Sequence, residues 1–530
     1  MRSRARRALA AATALVAAVT MASCGGGPAV TPTPAVANDP VPAPTELETF
    51  YYQDIHWYPC GEKGGMQEAD ADTGPGTFSC ARVTVPLNYD EPGGATIELA
   101  LKRRSASGTS IGSLFINPGG PGGSGVNLVE SAKGYFTDDL LESYDIVGFD
   151  PRGVGGSAAV DCLTDAELDA KRSDDGSDPV SRKDSAEEER ANITEHASEL
   201  KAKCESAMSI PGLLDHIDTI SAARDLDILR AAVGDSALSY LGYSYGTYLG
   251  ATYAELFPGN VGRMALDGAV DPTLTAGQIS LGQAQGFESL LRAYVEDCQS
   301  AKNCPLTGDA DSGVKQVRDF LDQTRTLPLK TSDPNRPLAL DSILKGMYQT
   351  KSWPALTQGL TRAMDQDDGS TLLSISDQLS SRNADGTYKD NGAEVISAIN
   401  CLDYPVVGDT ESWDAEAEEI EEASPTFGSV LTYSDLYCQV WGHESTRTRD
   451  PIHASGAAPI LVIGTKDDPA TPYAWSESLA SQLDDGHLLT WEGQGHTAYG
   501  RAGDCISRAV DSYLLAGQLP EEGLTCAADK

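Results

Sequence analysis

The run Leu238 to Tyr248 ends an apolar, aromatic stretch in Gly242-Tyr243-Ser244-Tyr245-Gly246. Gly-x-Ser-x-Gly between a strand and a helix forces a turn so tight that the serine takes a strained backbone conformation. The glycines two residues to either side let strand and helix pack closely. Such a turn lifts a hydroxyl above a sheet with a helix N-terminus behind it, the arrangement of a nucleophile for acyl transfer. Five residues alone also occur by chance, so the rest of the chain must supply partners. A serine hydroxyl is a poor nucleophile at neutral pH and needs a base within hydrogen-bond reach, held in turn by an acid.

Seven histidines are available. His496 alone follows a late strand in a glycine-flanked loop, Glu492-Gly493-Gln494-Gly495-His496-Thr497, that can swing an imidazole over a sheet edge. His487 begins a strand and reads as structural. His443 and His453 precede the candidate acids Asp467 and Asp468 and so break the order serine, acid, histidine used by hydrolases with this turn. Three carboxylates compete for the acid. Asp468 follows the strand Ala458 to Gly464 and has a proline after it to fix the turn; Asp467 is its neighbour; Asp267 follows the strand Val261 to Leu266.

A second glycine-rich stretch, Pro118-Gly119-Gly120-Pro121-Gly122-Gly123-Ser124-Gly125, follows the compact strand Ile111 to Asn117. Residues 120–125 fit G-x-G-x-x-G, with Asp150 standing where a dinucleotide site places its ribose acid. The match lies behind edge strands, however, and does not open a first βαβ unit. The competing reading is an oxyanion loop after the third strand, whose N–H groups face a developing alkoxide. The Ser244 turn downstream favours it, with Gly120 and Tyr245 as the backbone donors.

These groups need a sheet to carry them. Phe78 to Leu87 and Thr96 to Arg104 alternate as antiparallel edge strands, and Tyr144 to Phe149 reads as a buried one. It leads into Asp150 to Ser157, a segment that braces the glycine loop, with Arg152 pairing a core carboxylate. Asp161 to Ala207 is charged and helical in pattern, an exposed excursion stapled by Cys162 and Cys204. Thr219 to Val233 is an amphipathic helix with Asp218 as its N-cap. Tyr245 to Phe257 is a helix stopped by Pro258, and His487 to Trp491 is a late strand. Leu274 to Ala454 interrupts the alternation with polar, helical sequence.

Pro118-Gly119-Gly120-Pro121-Gly122, Asp150-x-Arg152-Gly153-x-Gly155-x-Ser157, Gly242-Tyr243-Ser244-Tyr245-Gly246-Thr247 and Leu266-Asp267-Gly268 occur in that order. Together they resemble the secreted tripeptidyl aminopeptidases and related prolyl-iminopeptidase-like serine peptidases of the α/β-hydrolase superfamily, from about Tyr51 to Cys526. The resemblance implies an α/β fold: a mostly parallel sheet flanked by helices, with a largely helical cap inserted after the sixth strand, β6. The first part of the core is 47–273, the cap 274–454 and the second part of the core 455–530. Asp468 fits the Asp-Pro-x-Thr-Pro motif of these enzymes, which selects Ser244, Asp468 and His496 as the triad. Prolyl iminopeptidases usually carry histidine where this chain has Pro118, which puts single-proline specificity in doubt. The implied activity is release of short peptides, tripeptides in particular, from substrates with a free N-terminus, through an acyl-enzyme and without cofactor. A carboxylesterase or lipase uses the same triad and is the alternative; a surface-binding protein without activity is a third. A free α-amino group requires a carboxylate. Asp403 and the acidic run Glu416 to Glu422 are the candidates in the cap.

The chain has 530 residues, enough for about two to four domain-sized units. It carries 78 acidic against 39 basic residues, a net charge of −39. That balance disfavours nucleic acid and anionic membranes as general partners. Met1 to Arg7 is basic, Ala8 to Met21 apolar, and Ala22-Ser23-Cys24 closes an export signal over 1–23. Cys24 resembles a lipidated lipobox cysteine, with Met21 where leucine is usual; a simply cleaved signal is the alternative. The expected location is extracytoplasmic, either anchored to the membrane through a lipid on Cys24 or secreted. Residues 24–46, rich in Pro, Gly, Ala and Thr, read as a tether. Ten further cysteines suit a disulfide framework in an exported chain. Pairing in sequence order (60–80, 162–204, 298–304, 401–438, 505–526) is the simplest of the connectivities left open. None has zinc-ribbon spacing, and no metal site is expected.

Overall fold

The computed structural model describes residues 30–172, 185–327, 329–336, 350–445 and 447–528. The expected export signal at 1–23 and Cys24 therefore lie outside the described residues. Within them, no helix is long and apolar enough to cross a membrane.

Eight strands form the body of one sheet: β1 (Phe78–Pro86), β2 (Thr96–Arg104), β3 (Ser113–Asn117), β4 (Asp145–Phe149), β5 (Leu238–Tyr243), β6 (Val261–Asp267), β7 (Ile460–Asp467) and β8 (Gly486–Gln494). Short strands at Tyr58–Pro59 and Thr525–Ala527 extend the two edges. The order across the sheet is β1-β2-β4-β3-β5-β6-β7-β8. β1, β2 and β4 pair antiparallel, and every pair from β4 to β8 is parallel. β3, β5 and β6 are buried at every position, as central parallel strands covered on both faces must be.

The period-two alternation sends neighbouring side chains to opposite layers. Phe115, Tyr240, Met264 and Val462 pack with the helix Thr219–Ala232. Ile116, Leu241, Ala265 and Leu461 pack with the helix Asp504–Ala516. Between β6 and β7 the chain leaves the sheet for a set of helices running from Ala276–Ser300 to Ser434–Trp441. These carry an apolar core of their own around Phe287, Tyr294, Val317, Leu356, Leu360 and Leu372.

The five disulfides join the cysteines in sequence order, 60–80, 162–204, 298–304, 401–438 and 505–526. Two expectations fail. The segment expected as an exposed excursion contains the helix Ala186–Ala207, which buries Ile193, Ala197, Leu200 and Cys204 and packs on the helix Ser434–Trp441. Its charged residues hid an i, i+4, i+7 apolar stripe. The described part of the expected tether is likewise not free. Thr33 N–H donates to Leu515 O at 2.9 Å and Val41 N–H to Asn260 Oδ1 at 2.8 Å. An extended segment rich in proline keeps some backbone donors unspent, and here they find partners at the base of the sheet.

Arg152 does find a core carboxylate. Its guanidinium is fully buried and makes two 2.7 Å hydrogen bonds to Asp225, with further bonds to the carbonyls of Pro86, Leu87 and His216. Asp225→Ala leaves that guanidinium buried and uncompensated, which is expected to cost about 3–5 kcal/mol in a urea titration. A loss below about 1 kcal/mol would mean that the pair behaves as a surface one.

Candidate active site

At the carboxyl end of β5 the chain reverses into the helix Tyr245–Leu256, and Ser244 sits in the turn at φ 56°, ψ −126°. This is left-handed territory that a non-glycine residue enters only when its surroundings over-determine it. Ser244 N–H donates to Asp267 O at 2.9 Å, and Ser244 O accepts from Thr247 N–H at 2.8 Å and Thr247 Oγ1 at 2.6 Å. A Cβ on Gly242 would lie 2.4 Å from Gly246 O, and one on Gly119 would lie 2.8 Å from Ser244 Cβ and 3.2 Å from Tyr245 N. The glycine loop after β3 therefore abuts the turn directly.

Asp150 cannot serve a nucleotide ribose. Its oxygens are spent on Ser124 Oγ (2.6 Å), Val126 N (3.1 Å) and Gly156 N (2.8 Å), which brace the loop as expected.

His496 Nδ1 stands 2.9 and 3.0 Å from the two oxygens of Asp468. Asp468 also accepts from the N–H groups of Ala470, Thr471 and Thr497 and from Thr471 Oγ1, at 2.9–3.0 Å. Burial pushes this carboxyl up; His496 and the backbone donors outweigh it, so the net effect holds it below the usual carboxylate value. The charged form is therefore the stable one in a buried site. Asp467 is exposed. His443 pairs with Asp215, His453 with Gln482 O and His487 with Asp485, each at the periphery.

Asp267, the remote candidate acid, has a different job. Its carboxylate accepts from Ala498 N–H (3.0 Å) and Tyr499 N–H (2.7 Å), which tether the loop just past His496.

Ser244 and His496 line one cavity of about 460 Å³ together with Gly120, Tyr245 and Thr471. Tyr248, Tyr404 and Trp475 supply its aromatic walls, and Gln283 and Asn400 its amides. Sequence reasoning missed these wall residues, because neither the cap segments that carry Gln283, Asn400 and Tyr404 nor the core helices that carry Tyr248 and Trp475 bear a local mark of which face looks into the cavity.

Asp403 is corrected as an amine ligand. It is fully buried, and its oxygens are taken by Thr219 N–H (2.9 Å), Thr219 Oγ1 (2.5 Å) and Arg447 Nη1 (2.9 Å). Of the acidic run, Glu418, Glu419 and Glu422 are exposed, whereas Glu416 is half-buried.

Burial lifts Asp267 to about 6 from 3.8. A raised carboxyl adds stability that is fully present below its unfolded pKa and is lost as pH rises through the folded one. Asp267→Asn cannot ionise, so relative to wild type it should gain up to about 3 kcal/mol between pH 4 and pH 7 in denaturant titrations. A difference that does not change with pH would contradict this. The cap offers a second handle. A Cβ on Gly286 would lie 2.5 Å from Pro469 O and 2.8 Å from Pro469 Cα, in the backbone of the loop that carries Asp468. Gly286→Ala is expected to lower kcat on a peptide amide about 10- to 100-fold by displacing that loop, and unchanged kcat would show that the loop tolerates the shift.

A family model described as "TAP-like protein" matches residues 424–526. The chain is 36% identical over 491 residues to "Serine protease Hip1" of Mycobacterium tuberculosis, covering 89% of this chain and 91% of that one. It is 36% identical over 460 residues to "Carboxylesterase B" of the same species, covering 85% and 86%. It is 30% identical over 471 residues to "Tripeptidyl aminopeptidase" of Streptomyces lividans, covering 86% and 84%. With the sheet order, the turn at Ser244 and the Asp468–His496 contact already described, these likenesses mean that the chain belongs to the TAP-like family of serine peptidases in the α/β-hydrolase superfamily.

Proposed function

We propose that Ser244 is the nucleophile of an exported exopeptidase that releases short peptides, tripeptides in particular, from free N-termini. The observation that carries this reading is the Asp468–His496 hydrogen bond at the wall of the cavity that Ser244 also lines. In the first step Ser244 Oγ attacks the scissile carbonyl while His496 Nε2 takes its proton, and Asp468 holds the resulting imidazolium at Nδ1. The backbone N–H groups of Gly120 and Tyr245 receive the tetrahedral oxyanion, the second of them as one of the unspent donors at a helix start. Collapse breaks the C–N bond, and the imidazolium returns its proton to the leaving amine. Water then attacks the acyl-enzyme with His496 again as base, which frees the peptide acid and Ser244.

The name of the Streptomyces relative supports the tripeptide reading, and the size of the cavity agrees with more than a single side chain. The name "Carboxylesterase B" favours a second reading, ester hydrolysis by the same triad. Five disulfides suit an oxidising compartment outside the cytoplasm. A lipid on Cys24, as the sole membrane contact, is part of the proposal.

The test is hydrolysis of tripeptidyl, single-residue and N-acetylated tripeptidyl fluorogenic amides beside p-nitrophenyl esters. Free tripeptidyl amides should be the best substrates, and Ser244→Ala should lower their turnover on the order of 10⁶-fold. Ester cleavage without amide cleavage would put the esterase reading in its place.

A further inference from the structure

The helix Ala276–Ser300 opens the cap, and one of its faces borders the nucleophile. Ala276, Ile279, Ser280 and Gln283 stand at i, i+3, i+4 and i+7, and all four line the cavity that Ser244 and His496 also line. The helix Gly392–Asp403 adds Ile396 and Asn400 to the same wall. A second cavity of about 430 Å³ shares Ser280, Ile396, Asn400, Ser434 and Cys438 with the first, so the cleft continues into the cap. A released tripeptide has a fixed length and suits such a bounded cleft, whereas the leaving chain can be of any length and needs open solvent.

Gln283 is half-buried on this face, and its amide has a fixed orientation. Nε2 donates to Ala470 O at 3.0 Å. A carbonyl oxygen only accepts, so the nitrogen must face it and Oε1 must turn away from it. The partner is itself held in place. Ala470 N–H donates to Asp468 Oδ1 at 3.0 Å, and Pro469 O lies 2.5 Å from where a Cβ on Gly286, three residues along the same helix, would be. Among the described residues no donor reaches Gln283 Oε1. The side chain therefore offers the cavity an open acceptor, anchored on the loop that carries Asp468.

We propose that Gln283 Oε1 accepts a backbone N–H of the peptide that is released, which makes Gln283 a substrate-binding residue. A peptide N–H loses its water on entering the cleft and needs an acceptor there. The contact rests on the exopeptidase reading and adds a requirement to it: the substrate must offer a free N–H at one internal peptide bond. The same amide donates to Ala470 O, so a hydrogen bond received at Oε1 polarises the one given at Nε2. A seated peptide thereby tightens the hold of the cap on the Asp468 loop.

The experiment measures kcat/KM for a fluorogenic tripeptidyl amide and for its two analogues N-methylated at one internal peptide bond each, with wild type and Gln283→Met. One of the two methylations should cost wild type about 10- to 100-fold, mostly through KM, and should cost Gln283→Met less by about 5-fold or more. Steric effects of the methyl group act on both enzymes and cancel in this cycle. A purely structural hold of Gln283 on the Asp468 loop would instead lower the variant's rate on all three substrates by one factor. Equal costs of methylation in both enzymes at both positions therefore overturn the contact and leave the exopeptidase intact. Gln283→Asn, which keeps an amide but withdraws it by one methylene, carries the same cycle if Gln283→Met does not fold. Hydrolysis of p-nitrophenyl acetate by wild type without hydrolysis of the free tripeptidyl amide overturns the exopeptidase reading and the contact with it.

Discussion

Ser244 holds a backbone conformation of positive φ because backbone without side chains closes on it from two directions. Gly242 lets the following helix return against β5, and Gly119 lets the loop after β3 come up beside the serine. Such strain costs on the order of 1–3 kcal/mol and persists only where the surroundings repay it. Here the repayment comes through Asp267. Its carbonyl accepts Ser244 N–H, while its carboxylate accepts the two N–H groups that follow the histidine loop. One residue at the end of β6 thus ties the turn bearing the hydroxyl to the loop bearing the imidazole.

That tie works because of how the sheet is ordered. Asn117 lies opposite Gly242, Tyr243 opposite Asp267, and Asp267 opposite Ile463. Parallel strands in this register end side by side, so the glycine loop, the serine turn, the entry to the cap and the Asp468 loop all leave from one edge. Residues hundreds of positions apart then meet with short loops and little ordering entropy at the site itself.

Much of this edge was legible in the sequence. The turn, the histidine loop and the proline after Asp468 are local signals, because each is a backbone requirement written in glycine or proline. The bracing role of Asp150 and the buried pairing of Arg152 followed from the same segment. What escaped were features decided by distant partners. The helix Ala186–Ala207 looked solvated because its apolar stripe is narrow among many charges, and only the cap helix it meets gives that stripe a use. The stretch 30–46 looked free because unsatisfied backbone donors carry no side-chain signature. Gly286 carries no local mark either, although a backbone carbonyl lies where its Cβ would be.

Asp403 is the most instructive of these. A buried carboxylate in a cap over a peptidase site invites the role of ligand, and its type and position agree with that. Its partners decide otherwise. Thr219 takes both of its oxygens and also meets the hydroxyl of Tyr245, while Arg447, bound to the same carboxylate, lies 5.5 Å from the ring centre of Tyr248. Tyr245 follows Ser244 directly, and Tyr248 is one turn further along the same helix. The cap helix Gly392–Asp403 is therefore joined by one charged residue to the helix that starts just after Ser244. A substrate that displaces this cap helix must also strain those hydrogen bonds, so the seating of a peptide in the cleft and the alignment of the Tyr245 N–H are mechanically linked. A carboxylate spent on that linkage is unavailable to an ammonium.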